Sequence, residues 1–253
     1  MEKRGQTTIF IVVALIIVVA GILIYFLVPG VRTVFSSELS PSGFIESCIT
    51  EELDANLETL SLQGGYSNPE GFILYNNLPV KYLCYTAQYY QTCNIQQPLL
   101  ISHVEEELES ALQTKANDCV RQLAKEYEQR GFEVSSGQAT VDVEIILEKI
   151  RVAVNAPLTA SSQDSTQTFT SFSFEKPKKL YALLLIAGSV IDYEATYGDT
   201  ETNLYVAFYP YLKIQKMKLE DGSKIYTLED VTTNEKFIFA SRSLSWPPGY
   251  GAR

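Results

Sequence analysis

The twenty residues from Ile9 to Val28, IFIVVALIIVVAGILIYFLV, contain no charged side chain. A helix of this length is about 30 Å long, close to the thickness of the hydrocarbon core of a bilayer. A helix that is apolar on every side is also unusual in a water-soluble fold. We therefore predict a transmembrane or filament-core helix over residues 9–28. The predicted fold class is α+β, with this long apolar helix followed by an extracellular region of helices and antiparallel sheet.

Basic residues flank the apolar stretch mainly on its amino-terminal side. Lys3 and Arg4 precede it, and only Arg32 follows it closely. Because positive charge is retained on the cytoplasmic side of a membrane, we expect residues 1–8 to be a cytoplasmic leader and the bulk of the chain to be outside. A cleaved secretory signal is the alternative. Its apolar region would be about 7–15 residues long and would end at a small-x-small cleavage site, and Tyr25–Glu38 contains no Ala-x-Ala.

The residues before the apolar stretch form a more specific pattern, Lys3-Arg4-Gly5-Gln6. This junction resembles the class III signal peptide of archaeal type IV pilins and related filament proteins, and the resemblance covers residues 1–30. In that family a prepilin peptidase cuts on the cytoplasmic side of the helix, which later becomes the packed core of a filament. The resemblance implies cleavage between Gly5 and Gln6 and assembly with further copies of the chain. Phe10 departs from the family pattern, since many pilins carry Glu at that position.

Composition limits the ligands and the chemistry of the region that follows. The chain has 30 Asp and Glu against 20 Lys and Arg, so its formal net charge is −10. Repulsion from phosphate argues against nucleic acid or anionic lipid headgroups as ligands of the external region. The sequence lacks the common hydrolase, zinc-protease and nucleotide-binding motifs. Its only histidine, His103, is expected to have a surface or capping role. Asp142 and Glu144 share one face of a predicted strand, where alternation alone explains them. We expect a non-enzymatic protein without a cofactor or metal.

Four cysteines, Cys48, Cys84, Cys93 and Cys119, lie in the region expected to be outside the cell. An even number of cysteines in an oxidising compartment indicates two disulfides, and three pairings are possible. We favour Cys84–Cys93, which encloses a short Tyr-rich loop, together with Cys48–Cys119, which would join two predicted helices. A zinc site is less favoured, because the spacing lacks a CxxC pair and the chain has a single histidine.

Hydrophobic periodicity divides the chain after a linker at residues 29–42. Residues 43–130 are predicted to contain a helix at each end and a Tyr-rich hairpin between them. Residues 131–245 are predicted to be mainly antiparallel sheet with one helix. Residues 246–253 are predicted to be a tail. Whether the two larger parts form one domain or two, split near Gly131, stays open.

Local signals assign particular residues to these elements. Pro79 assigns the second strand of the hairpin to the edge of a sheet, because proline cannot donate to a strand ladder. Ser102 and Glu105 have the spacing of a capping box at the start of the second long helix. Further antiparallel strands are predicted at residues 203–218 and 224–241.

Six tyrosines between residues 66 and 90 form the most suggestive binding feature. Tyrosine is favoured at interfaces, because it combines a large apolar ring with a polar tip. Packing within strands is the alternative, and we favour it, because aromatic residues are also enriched in strands. The candidate contact residues are Tyr66, Tyr75, Tyr82, Tyr85, Tyr89 and Tyr90.

Two functions fit these features. The first is a non-enzymatic, pilin-like structural or adhesion protein of the cell surface, whose amino-terminal helix lies in membrane lipid or packs against copies of itself in a filament. The second is a permanently anchored single-pass protein whose external region binds a partner without assembly, and Phe10 favours it. The expected location is the plasma membrane with a cytoplasmic amino terminus, or an extracellular filament.

Overall fold

A computed structural model describes residues 14–15, 17–18 and 40–245. The expected leader with Gly5 and Gln6, most of the apolar stretch, the linker up to residue 39 and the tail lie outside these residues. Within the described residues, no helix is both long and apolar enough to cross a membrane. The predicted fold class is therefore wrong on this point. The longest described helix, Leu100–Gln129, has charged residues on its exposed side, as is typical of a helix that packs one face against a core.

The chain divides into two units between Ser40 and Pro41. In the first unit, the four described residues of the apolar stretch are helical and their side chains are exposed. The second unit is α+β and, within its described residues, contains four helices and ten strands. The helices are α1 (Pro41–Leu62), α2 (Leu100–Gln129), α3 (Leu180–Tyr197) and α4 (Thr202–Phe208). The strands are β1 (Phe72–Tyr75), β2 (Leu78–Tyr85), β3 (Asn94–Ile95), β4 (Glu133–Ser136), β5 (Thr140–Ile146), β6 (Lys149–Ser161), β7 (Thr166–Pro177), β8 (Leu212–Lys218), β9 (Ser223–Asp230) and β10 (Lys236–Arg242).

The first sheet has the order β1-β2-β10-β9-β8, and β3 also pairs with β2. Strands β2 and β10 are parallel, so the expectation of a purely antiparallel sheet is wrong. Parallel neighbours need a long connection, and more than a hundred residues of chain separate these two strands. The pairing joins the predicted parts 43–130 and 131–245 within one sheet.

Pro79 lies in an inner strand, which corrects its assignment to a sheet edge. β2 has β1 on one side and β10 on the other. Pro79 pairs with Leu74 of β1, whereas the pairing with β10 begins only at Tyr82. The missing N–H of the proline therefore removes no hydrogen bond from the β2–β10 ladder.

The second sheet is built around β6, which pairs with β7 along one side and with β5 and β4 along the other. Alternate residues of β6 are buried, from Ile150 to Ala160, and this face packs towards the helices. Helix α1 buries Ile45, Ile49 and Leu53 at a spacing of four residues, and it packs against α2. This packing is the i, i+4 pattern that predicted both helices.

Two helix starts differ from the prediction. Helix α2 begins at Leu100 with Leu99 at its N-cap position, so Ser102 and Glu105 lie inside the helix and form no capping box. Residues 203–208, the start of the strand predicted at 203–218, lie instead in α4 (Thr202–Phe208). The Glu201 side chain caps α4 by accepting a hydrogen bond of 3.4 Å from the Asn203 N–H. This local bond stabilises a helical turn in a segment whose aromatic composition favours strand.

Candidate contact surface

The two disulfides join Cys48 to Cys119 and Cys84 to Cys93. This is the pairing favoured from the spacing, and it leaves none of the four cysteines free to bind zinc. Cys48–Cys119 joins α1 to α2. Cys84–Cys93 closes the segment that runs from the end of β2 to the start of β3, which we call the tyrosine loop (residues 84–93). The pair of disulfides indicates an extracellular or otherwise oxidising environment.

Backbone hydrogen bonds fix the tyrosine loop against the end of β10 and the residues that follow it. The Thr86 N–H donates to the Arg242 carbonyl at 2.9 Å, and the Tyr90 N–H donates to the Leu244 carbonyl at 2.8 Å. The Leu244 N–H in turn donates to the Gln91 carbonyl at 3.0 Å. The Arg242 guanidinium also donates to the Thr86 carbonyl at 2.8 Å. The loop backbone is therefore held at several points as well as by its disulfide.

Two aromatic rings of the tyrosine loop face solvent. Tyr89 is 60% exposed and Tyr90 is 74% exposed, while Tyr85 is partly covered by the Arg242 side chain. Tyr90 has a φ of +63°, which is uncommon for a residue with a side chain. The hydrogen bond from the Tyr90 N–H to the Leu244 carbonyl holds that conformation. Exposed aromatic rings on a fixed backbone can contact a partner at a low cost in conformational entropy.

The other three tyrosines of the predicted cluster pack within the protein. The Tyr82 hydroxyl forms a 2.8 Å hydrogen bond with the Ser223 hydroxyl, and burial raises the pKa of Tyr82. Tyr75 is half-buried beside the same part of the core. Tyr66 donates to Gln97 Oε1 at 3.0 Å. The six tyrosines thus separate into a packed set of three and a set of three in the tyrosine loop.

His103 lies beneath the ring of Tyr66, with their ring centroids 4.0 Å apart. Its Nε2 atom is buried, has no hydrogen-bond partner among residues 40–245, and lies 4.0 Å from a Glu107 carboxylate oxygen. Burial lowers the pKa of His103, which favours the neutral ring. The Ser67 hydroxyl donates to Glu107 and not to the imidazole. The cluster therefore lacks the serine–histidine hydrogen bond that activates a nucleophile.

A cleft of about 700 Å³ lies beside α1, the end of β7 and the start of α3. Four of its charged side chains form two ion pairs, Lys176 with Asp54 and Lys178 with Glu235. Asp142 and Glu144 are also paired, with Asn155 and Arg151 across the β5–β6 ladder. Cross-strand pairs of this kind are ordinary features of an exposed sheet face.

A second aromatic surface was not predicted from the sequence. Helices α3 and α4 enclose a groove of about 400 Å³, here called the aromatic groove. α4 buries none of its residues. Tyr193 lies in α3, but residues 203–218 were predicted to be strand, so the sequence did not bring the two sides of this groove together. The groove is lined by Tyr193, Glu201, Leu204, Tyr205, Phe208 and Tyr209.

A buried carboxylate holds α3 on the first sheet. Glu194 is fully buried, and its two carboxylate oxygens accept four hydrogen bonds. The donors are Lys224 Nζ at 2.7 Å, the Ser241 hydroxyl at 2.8 Å, the Thr200 N–H at 2.9 Å and the Tyr226 hydroxyl. Burial and the neighbouring Glu194 charge both raise the pKa of Tyr226, which keeps this phenol protonated as a donor. Because every lone pair is used, Glu194 has a structural role.

Within the part of the chain that the structure describes, no group of three or more His, Cys, Asp or Glu residues is arranged to hold a metal ion. Comparison with known proteins gives no match to a family model, to a curated protein or to a solved structure.

Proposed function

We propose that this protein is a non-enzymatic structural or adhesion protein of the cell surface, pilin-like, and that it contacts its partner through the tyrosine loop. The observation that carries the proposal is the exposure of Tyr89 and Tyr90 on a backbone closed by Cys84–Cys93. Interface hot spots are enriched in tyrosine, and a rigid loop loses little freedom on binding.

The location is supported by the two disulfides, which are formed and kept outside the cytoplasm. The pilin-like character is supported by the junction Lys3-Arg4-Gly5-Gln6 ahead of the uncharged stretch. In this proposal a prepilin peptidase cuts between Gly5 and Gln6, and further copies of the chain are partners in assembly.

A surface protein that binds a different partner and does not assemble is the second candidate. Phe10 favours it, since many pilins carry Glu at that position. Both candidate functions use the same exposed tyrosines. They differ only in the partner, which is another copy of the chain in the first and a different molecule in the second.

The experiment compares surface filaments and cell attachment in a strain that lacks the native gene and carries either the unchanged gene or a Tyr89→Ser/Tyr90→Ser variant. Both residues are exposed, so the variant should fold and reach the surface normally. We expect it to lose most of the sheared filament yield if the partner is another copy, or most of the attachment if the partner is different.

Leu147→Ser is the matched control, because Leu147 is 68% exposed in the turn between β5 and β6. The control should retain both properties. Equal filament yield and equal attachment in all three strains, at equal surface amounts, would show that the tyrosine loop is not the contact surface.

A further inference from the structure

Strand β1 lies at one edge of the first sheet, and its sequence, FILY, contains no charged side chain. Among the described residues, its neighbour in the sheet is β2 alone. An edge strand presents backbone N–H and C=O groups on its outer side, and these groups can pair with a strand of another chain.

The ladder between β1 and β2 determines which backbone groups face outward. In an antiparallel pair, opposite residues alternate between hydrogen-bonded and non-hydrogen-bonded pairs. The Tyr82 N–H donates to the Gly71 carbonyl at 3.1 Å, just before β1 begins. By alternation, Ile73 and Tyr75 are the residues of β1 that bond to β2.

The proline of β2 agrees with this alternation. Leu74 lies opposite Pro79, which has no N–H to donate, so their pair is a non-hydrogen-bonded one. The N–H and C=O groups of Phe72 and Leu74 therefore point away from β2, towards the outer edge of the sheet.

The same two residues expose their side chains. Ile73 and Tyr75 pack beside the core, as alternate residues of a strand do. Phe72 is 47% exposed and Leu74 is 67% exposed. The outer edge of β1 thus combines free backbone groups with two exposed apolar side chains.

Other sheet edges of the described chain are protected. At the opposite edge of the first sheet, β8 carries Lys213, Lys216 and Lys218. In the second sheet, the edge of β5 is covered by α2, whose Glu105 carboxylate accepts from the Ile145 N–H. Lysines and covering elements are common means of preventing an edge from pairing. The exposed, uncharged β1 has neither protection within residues 40–245.

The edge of β1 is complementary to itself. If a second copy pairs antiparallel about Ile73, Phe72 of each copy lies opposite Leu74 of the other. Both pairs then consist of outward-facing residues, and each exchanges two N–H···O bonds. The ring of Phe72 also lies beside the Leu74 side chain on the same face. A shift of the partner by two residues would leave only one such pair within the strands.

Charge also favours a second copy at this edge. The chain has a net charge of −10, so two copies repel each other over most of their surfaces. β1 brings no like charges together, and Glu70 beside it is balanced by Lys81, whose Nζ atom donates to the Glu70 carbonyl. A stable dimer buries about 800 Å² a side, more than one short strand offers. We therefore expect weak association that increases with concentration.

We propose that β1 of one copy pairs antiparallel with β1 of a second copy, so that the first sheet continues from one chain into the next. This inference goes beyond the proposed function and does not depend on it, because β1 and the tyrosine loop are different surfaces. An extended segment of a different protein at this edge is an outcome that the experiment identifies.

Cross-linking of the purified full-length protein tests the pairing. In a Leu74→Cys variant the introduced thiol is the only free one, because the four native cysteines are paired. In the proposed register the two introduced residues are diagonal neighbours about 7–8 Å apart, within reach of a short bis-maleimide. Non-reducing gel electrophoresis at increasing protein concentration measures the fraction of chains at twice the single-chain mass.

Leu147→Cys is the matched control, because Leu147 is 68% exposed and lies in the turn between β5 and β6. We expect the cross-linked fraction of Leu74→Cys to exceed that of Leu147→Cys by about fivefold, since only the first pair of thiols is held close. Labelling with a single maleimide checks that the two thiols react equally.

A second change at the edge tests whether the backbone is involved. Phe72→Pro, added to Leu74→Cys, removes an outward N–H at the first residue of β1, where the sheet can accept proline. Phe72→Lys, also added to Leu74→Cys, instead places a charge at the edge. Both should reduce the cross-linked fraction to that of Leu147→Cys, and circular dichroism checks that each variant folds.

Equal cross-linked fractions for Leu74→Cys and Leu147→Cys would overturn the inference. A fraction that neither folded Phe72 variant lowers would do the same. If Leu74→Cys gives no doubled mass when purified but a product of another mass in cells, the edge binds a different protein and the second copy is wrong. Each of these results leaves the tyrosine-loop experiment unaffected, so the two proposals fail separately.

Discussion

The carboxylate of Glu105 on α2 accepts a 2.7 Å hydrogen bond from the backbone N–H of Ile145 on β5. Glu109 accepts from the Val143 N–H at 3.0 Å in the same way. The contact repeats because four helical residues rise about 6.0 Å while two strand residues span about 6.8 Å, so an antiparallel helix and strand stay in register. Farther along α2, the Gln113 side chain donates to the Ala139 carbonyl, and the Asn117 side chain accepts from the Ala139 N–H. Helix α2 thus covers the free edge of β5, which would otherwise be able to pair with another chain.

Glu105→Ala tests this edge contact. The change leaves the Ile145 N–H without its acceptor, so we expect the free energy of unfolding to fall by about 1–2 kcal/mol in urea titrations. Glu105→Gln keeps an acceptor oxygen, so its free energy of unfolding should fall by less. Glu106→Ala is the control, because Glu106 is exposed on the next position of the same helix and should change stability by less than about 0.5 kcal/mol. Equal losses at positions 105 and 106 would contradict the role given to the contact.

Lys224→Met tests the buried ion pair. The variant leaves the fully buried Glu194 carboxylate without its closest positive charge, and we expect a loss of about 3–5 kcal/mol in the free energy of unfolding. Lys213→Met removes a half-exposed lysine that pairs with Glu229, and it should cost less than about 1 kcal/mol. Similar losses for the two lysines would show that burial of Glu194 does not depend on Lys224.

The two disulfides should differ in their contribution to stability. Cys48–Cys119 spans 71 residues, whereas Cys84–Cys93 spans 9. In the chain-entropy account, the longer loop stabilises by about 4 kcal/mol and the shorter by about 2.5 kcal/mol. Replacement of each pair by alanine, followed by thermal and urea unfolding, measures the difference. A larger loss from removal of Cys84–Cys93 would contradict this order.

Because the pKa of Asp199 is lowered in the folded protein, we expect the fold to lose stability in acid. Burial opposes its ionisation, but the hydrogen bond from Lys218 and the charges of Lys224 and Lys216 outweigh burial and lower the pKa of Asp199 to about 2. Because the folded pKa is below the unfolded value of 3.8, Asp199 stabilises the fold above pH 3.8, and this contribution disappears as pH falls towards about 2.

The variant Asp199→Asn should lack that part of the acid transition. Its deficit in the free energy of unfolding, relative to the unchanged chain, should shrink by about 1 kcal/mol as the pH is lowered to about 2, after allowance for solvent screening. Asp192→Asn on the exposed side of α3 is the control. A deficit that stays constant with pH would rule out the ionised aspartate as its source.

Local patterns predicted most of the elements of the second unit. The four-residue spacing of Ile45, Ile49 and Leu53 predicted α1, and Asn76 and Asn77 have the positive φ angles of the predicted hairpin turn. Such signals act over a few residues, so they can be read from the chain. The parallel pairing of β2 with β10 depends on residues far apart in sequence, and no local pattern specifies it.

The candidate surfaces were predictable only in part. The tyrosine cluster was visible as composition, but composition could not separate the exposed Tyr89 and Tyr90 from the buried Tyr82. That separation depends on the disulfide and on the bonds to Leu244. The aromatic groove was missed, because the cap provided by Glu201 makes a helix of a segment with strand-like composition.

The central claim, a surface protein of pilin-like type, is tested most directly by the amino-terminal residue of the protein isolated from its native cells. Mass spectrometry of its first peptide, without reduction of the chain, identifies this residue. The account predicts Gln6, produced by cleavage after Gly5. A mature protein that begins at Met1 or Glu2 would contradict it.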